Sequence, residues 1–248
     1  MTPLAYPARS AAHLARRAAL VAPVLFALAF GAPAARAQSF CASDGQSAPR
    51  ALLERFISAD CEACWADAAT RSPGARELAL DWILPGARGD DAPLSAAASR
   101  DGLARLQDLG RPAPAQAELA AAPVRPGPQR LRVAHGLPFN GYIGTSIELQ
   151  PGRGGPWTAW LLLVETIPAG AEGTPVARNL VRNALQAIWD GRRSLSKPEQ
   201  KRFFESRPMS IPEGARPERL SVVGWVQDSR GRIRAIAQSR CMPAGEGR

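Results

Sequence analysis

The sequence predicts an α+β fold: a small N-terminal α+β domain, a linker, and a larger β-rich α+β domain. Three observations predict it. Hydrophobic residues make up 46% of the 248 positions, enough for a sizeable core and too many for a disordered chain. The 22 glycines and 23 prolines together are 45 of 248 residues, about 18%, which disfavours long uninterrupted helices. Strand-like and helix-like segments alternate before residue 111, whereas Gly/Pro-punctuated β-like runs dominate from Arg130 onward.

Residues 1–37 read as an export signal rather than as part of the fold. Arg9, Arg16 and Arg17 precede an apolar run from Ala18 to Phe30, and Ala35-Arg36-Ala37 supplies a small-x-small cleavage site before Gln38. The run is shorter than the ~20 residues a membrane-spanning helix needs. The expected location is therefore periplasmic or secreted, with no stable membrane insertion once the signal is removed. Residues 1–37 carry four arginines and no acid, so the 31 basic residues fall to 27 against 22 acids. The remaining arginines are scattered and often adjoin acids, as in Arg76-Glu77 and Arg100-Asp101. That pattern lacks the clustered charge and interleaved aromatics of a nucleic-acid interface, and nucleic acid is not expected as a partner.

After Gln38, a polar lead-in contains Cys41. Ala51 to Ile57 is a plausible strand, Cys61-Glu62-Ala63-Cys64 follows a turn, and Trp65 to Ala69 has helix character. A short strand is expected at Leu78–Leu84 and a helix at Ser95–Leu109, stopped by Gly110 and Pro112. Residues 111–129 are rich in Pro, Ala and Gly and read as a linker. Beyond it, Leu131–Val133, Tyr142–Leu149 and Trp157–Glu165 read as strands, and Asn140-Gly141 as a turn. Thr174-Pro175 predicts the start of a helix from Val176 to Trp189. Ser196 to Glu199 forms a capping box for a second helix through Phe203 and Phe204. Leu220–Gln227 and Arg232–Gln238 read as a hairpin across Asp228 to Gly231.

Cys41, Cys61, Cys64 and Cys241 form an even set, for which disulfides are the default outside the cytoplasm. Four cysteines allow three connectivities. The close pair Cys61–Cys64 is the natural first bond, leaving Cys41 and Cys241 as a structural staple between the chain ends. A CxxC at the start of a helix suits thiol–disulfide exchange, because free N–H groups and the dipole stabilise a thiolate. Cys61 would attack and Cys64 would resolve, with no cofactor and with other exported proteins as substrates. Asp60 and Glu62 flank Cys61 and oppose a strongly lowered thiol pKa, which points to a reductant, isomerase-like or inert pair. The rival expectation is a non-catalytic binding or envelope-assembly protein with a locked disulfide. Zinc would need a second CxxC or a His pair, and His135 is the sole histidine after the signal. No metal is expected. Asp90-Asp91 reads as a solvated loop, Gly152 to Gly155 as a turn rather than a phosphate loop, and no Gly-x-Ser-x-Gly occurs.

The run from Leu53 to Ala68 resembles a bacterial family of secreted thioredoxin-like proteins of uncharacterised function. Looser similarity extends to Leu80-Asp81-Trp82, to Asn179 through Arg182 with Trp189-Asp190-Gly191, and to Val222–Ile236. The resemblance implies a thioredoxin-like N-terminal domain at residues 38–110, truncated if residues 111–129 replace its next strand, followed by the β-rich domain at 130–248. It also implies a cis-Pro opposite the CxxC, for which Pro112, Pro114 and Pro138 compete. Trp65 stands where members of the family carry Pro.

Overall fold

In the computed structural model the described residues are 41–151, 155–190 and 202–241. The expected export signal and the capping box at Ser196 to Glu199 lie outside them, as does the Gly152 to Gly154 part of the Gly-rich turn. Strands hold 47% of the described residues and helical turns of all kinds 11%. This corrects the expected α+β fold with a thioredoxin-like N-terminal domain. Only two α-helices are described, and one of them is a single turn.

The strands are β1 Cys41–Ala42, β2 Ala51–Ser58, β3 Glu77–Leu84, β4 Ala117–Pro123, β5 Arg130–His135 and β6 Tyr142–Gln150. They continue with β7 Trp157–Ile167, β8 Arg178–Trp189, β9 Phe203–Ser210, β10 Leu220–Gln227, β11 Ile233–Gln238 and β12 Arg240–Cys241. The helices are α1 Glu62–Trp65 and α2 Asp101–Asp108. A seven-stranded mixed sheet has the order β11-β10-β7-β8-β3-β2-β4, and a five-stranded antiparallel sheet the order β12-β1-β5-β6-β9. Within the larger sheet β2 runs parallel to β3, and β3 parallel to β8.

The larger sheet is buried on both faces where β7 and β10 cross it, which explains the unbroken apolar run Trp160 to Val164. Trp157, Ala159, Leu161 and Leu163 meet Val133, Ile143, Ile147 and Leu149 of the smaller sheet. Trp160, Leu162 and Val164 point the other way, joining Phe56, Trp82, Trp225 and Leu106 of α2. Gly224 sets the spacing of the two sheets. A Cβ there would lie 2.6 Å from Val133 Cγ1 and 2.9 Å from Ile147 Cδ1. Gly224→Ala is therefore expected to cost about 1–3 kcal/mol by overpacking, readable as a lower urea midpoint with an unchanged slope.

Several expectations hold. The strands at 51–57, 78–84, 131–133, 142–149 and 157–165, the Asn140-Gly141 turn and the C-terminal hairpin all form within a few residues of their expected bounds. The helix expected at Ser95–Leu109 is shortened, because Ser95–Ala97 is a separate 3-10 turn and α2 begins at Asp101. The side-chain hydroxyl of Ser99 accepts from the Asp101 amide, so the chain restarts there.

The helix expected at Val176–Trp189 is instead the twelve-residue strand β8. Its neighbour β7 is buried on both faces, so the polar backbone of β7 must be paired on both edges. β8 satisfies one edge over its whole length and β10 the other. Tertiary pairing overrides the local helical pattern, and Ile188, near the end of the strand, is 73% exposed. Phe203 and Phe204 likewise lie in β9 against β6, with Phe203 stacked on Trp189.

The expected linker at 111–129 contains β4, which pairs antiparallel with β2 at the sheet edge. An edge position accommodates Pro123, which has no amide proton to donate. The larger sheet thus takes strands from both sides of that stretch, and the described residues fall in one unit. No helix among the described residues is long and apolar enough to cross a membrane.

Candidate functional site

Two disulfides are present. Cys41 and Cys241 face each other across β1 and β12, joined at 2.02 Å, and Cys61 and Cys64 are joined at 2.00 Å. The first is the expected staple between the ends of the described chain. Cys41, Cys241 and the ring of His135 lie within 4.8 Å of one another, yet both sulfurs are consumed by the disulfide, so neither is a thiolate ligand.

The CxxC follows the C-terminal end of β2, where the parallel strands β2 and β3 both finish. In open sheets this end of parallel strands is where ligands are commonly received. Both cysteines are half-buried, while Glu62 and Ala63 between them are exposed. The Cys61 amide donates to the Ser58 carbonyl at 2.9 Å, and the Cys64 amide to the Cys61 carbonyl at 3.1 Å.

The helix expected to continue through Ala69 stops at Trp65. Two observations explain this. Arg178 Nη2 takes the Trp65 carbonyl at 2.8 Å and reaches the Cys64 carbonyl at 3.4 Å, engaging acceptors a further helical turn would use. The Asp67 carboxylate accepts from the Ala69 amide at 2.8 Å, a local turn that competes with helix. The dipole invoked from the sequence is accordingly that of one turn only.

Arg178 belongs to a buried network that sequence reading did not assign. From β3, Asp81 accepts from Arg55 Nη2 at 2.7 Å and from Arg178 Nη1 at 3.1 Å, and also from the Asn179 amide at 3.0 Å. All three charged side chains are at most 3% exposed. Two guanidinium groups share one carboxylate, which leaves the cluster with an excess positive charge. Burial pulls the Arg178 guanidinium below the usual arginine value; Asp81 opposes the shift and Arg55 reinforces it. Arg178 also lies 5.0 Å from the ring of Trp65, whose indole N–H donates to the Glu172 carbonyl at 2.8 Å. The sequence signal was the presence of Arg55 and Asp81 inside largely apolar strands.

A cavity of about 270 Å³ opens beside Cys64, with Arg55, Arg71 and Arg178 in its wall and Asp67 and Glu118 opposing them in part. Nearby cations favour a thiolate once the disulfide is reduced. Asp60, expected to disfavour the Cys61 thiolate, is occupied elsewhere: its carboxylate accepts from the amides of Ala87 at 2.6 Å and Arg88 at 3.2 Å. Asp90 and Asp91 lie in an exposed 3-10 turn. The peptide bonds before Pro112, Pro114 and Pro138 are not cis; the cis bond among the described residues is Gly155–Pro156. Comparison with known protein families and with curated proteins finds no match.

Proposed function

We propose that this is an exported thiol–disulfide exchange protein acting through Cys61 and Cys64. The observation that carries the reading is the half-exposed Cys61–Cys64 disulfide whose second cysteine borders an arginine-lined cavity. The two disulfides support an oxidising compartment. In the dithiol form, the Cys61 thiolate attacks one sulfur of a substrate disulfide and expels the other as a thiolate, which takes a proton from water. The Cys64 thiolate then attacks the Cys61 sulfur and releases the second substrate thiol. Two electrons pass to the substrate, the pair is left oxidised, and an external dithiol returns it to the reduced state. The arginines beside Cys64 favour the thiolate needed for the second step. Substrates are disulfides of other exported proteins.

A second reading, a non-catalytic binding or envelope-assembly protein with a structural CxxC bond, draws support from the shortness of α1, four residues. Insulin reduction by dithiothreitol separates the two. The wild type is expected to accelerate it, and Cys61→Ser to return the rate to background. Cys64→Ser is expected to accumulate a mixed disulfide visible by mass spectrometry. A wild type no faster than reductant alone, or activity surviving Cys61→Ser, removes the exchange reading.

A further inference from the structure

The opposite end of β2 carries a second concavity that plays no part in thiol chemistry. A cavity of about 680 Å³ opens between the lead-in to β2, the segment joining β4 to β5, and the middle of β11. That volume lies within the ~300–1,000 Å³ range of small-molecule pockets. Arg50, Arg76, Arg130 and Arg234 line it, and no acidic side chain does so among the described residues. Arg234 is partly neutralised by Asp228 at 3.1 Å, and Arg76 donates to the Ala48 carbonyl at 2.9 Å. Arg50 and Arg130 are exposed and have no carboxylate partner among the described residues. Two arginines with no carboxylate partner therefore line one concave site.

Two further observations point to a ligand. Arg234 Nε and Gln129 Oε1 are both buried and both without a hydrogen-bond partner, although such groups are ordinarily paired. They are crowded together at Gly127, where a Cβ would lie 2.2 Å from Gln129 Oε1 and 2.9 Å from Arg234 Nη2. Arg76 sits at φ 61°, a left-handed conformation uncommon for a side chain of this kind and concentrated at functional sites. The wall also contains Val124, Leu131 and Ile236, which offer apolar cover.

We propose that this cavity binds a small phosphate monoester bearing hydroxyl groups. The phosphate dianion matches the planar donors of Arg50 and Arg130. Gln129, which lines the cavity, offers its side-chain amide to a ligand hydroxyl, and the apolar wall covers the carbon skeleton. The cavity lies at the end of β2 opposite Cys61 and Cys64, so Cys61→Ser should leave binding there untouched.

Isothermal titration of the full chain with glucose 6-phosphate at low ionic strength tests it, with glucose, inorganic phosphate and citrate as comparators. Glucose 6-phosphate is expected to bind at one site per chain, at least tenfold more tightly than inorganic phosphate or citrate, with no binding of glucose alone. Arg50→Ala combined with Arg130→Ala is expected to weaken it at least tenfold without moving the melting temperature, because both side chains are exposed. Gln129→Leu should remove most of the advantage over inorganic phosphate. Absence of binding overturns the proposal. So does citrate binding as tightly as the phosphate ester, or affinity that survives the double substitution, since either reports surface charge alone.

Discussion

Asp81→Asn is expected to lower stability by about 3–5 kcal/mol, the range for removing one partner of a buried ion pair. Asp81 is wholly buried, and its carboxylate is the counter-charge for both Arg55 and Arg178. The amide has a similar shape but no charge, so two guanidinium groups are left facing each other in a low-dielectric interior. The reverse deletion is expected to be milder. Arg55 already has its Nε unpaired, and its loss removes the excess cation rather than creating one. Arg55→Met removes two hydrogen bonds, to Asp81 and to the Arg71 carbonyl, and should therefore cost about 2 kcal/mol, near the net value of two such bonds. Urea denaturation of the two variants side by side measures the difference. Equal costs, or a milder Asp81→Asn, would mean that the carboxylate does not balance the two arginines. A functional consequence follows from the same geometry. Arg178 holds the carbonyls of Cys64 and Trp65, so loosening it frees the end of α1, and Asp81→Asn should also change the reduction potential of the CxxC pair.

The sequence made the strands legible wherever burial is one-sided or continuous and turn residues mark the ends. β2, β3, β6, β7 and the β10–β11 hairpin are of this kind. It failed where long-range pairing decides. Val176 to Trp189 carries a capping residue, a following Pro and helically spaced apolar residues, but β7 requires a partner along its full length. Nothing local encodes that requirement. The Pro-rich stretch containing β4 misled for a related reason: an edge strand pairs on one side only, so its composition differs little from that of a linker. The cysteine pairs were legible from compartment and spacing. The Arg55–Asp81–Arg178 network was not, because its members come from three strands far apart in sequence. The arginine cavity escaped for the same reason. Scattered arginines in the chain become neighbours only after the sheets assemble.

Replacing Cys41 by Ala and Cys241 by Ser is expected to cost about 2–5 kcal/mol, whereas removing both CxxC cysteines should cost about 2 kcal/mol at most. The sequence separations explain the contrast. The first bond closes 200 residues and the second only three, so the first removes far more freedom from the unfolded chain. Local structure sharpens the difference. β1 and β12 are two residues each, too short to hold together by backbone pairing alone, and among the described residues β12 pairs only with β1. Without the bond, β12 should detach from β1, exposing Cys41's position, which is 2% accessible, and the ring of His135 beside it. Hydrogen exchange at the amides of the β1–β12 pair, where Ala42 faces Arg240 and Cys41 faces Cys241, reports that detachment directly. Urea midpoints for the two double variants supply the energies. If the CxxC variant lost as much stability as the staple variant, Cys61–Cys64 would be a structural bond. Its opening during exchange would then unfold the site it serves. A small cost there is what a bond that must open and close requires.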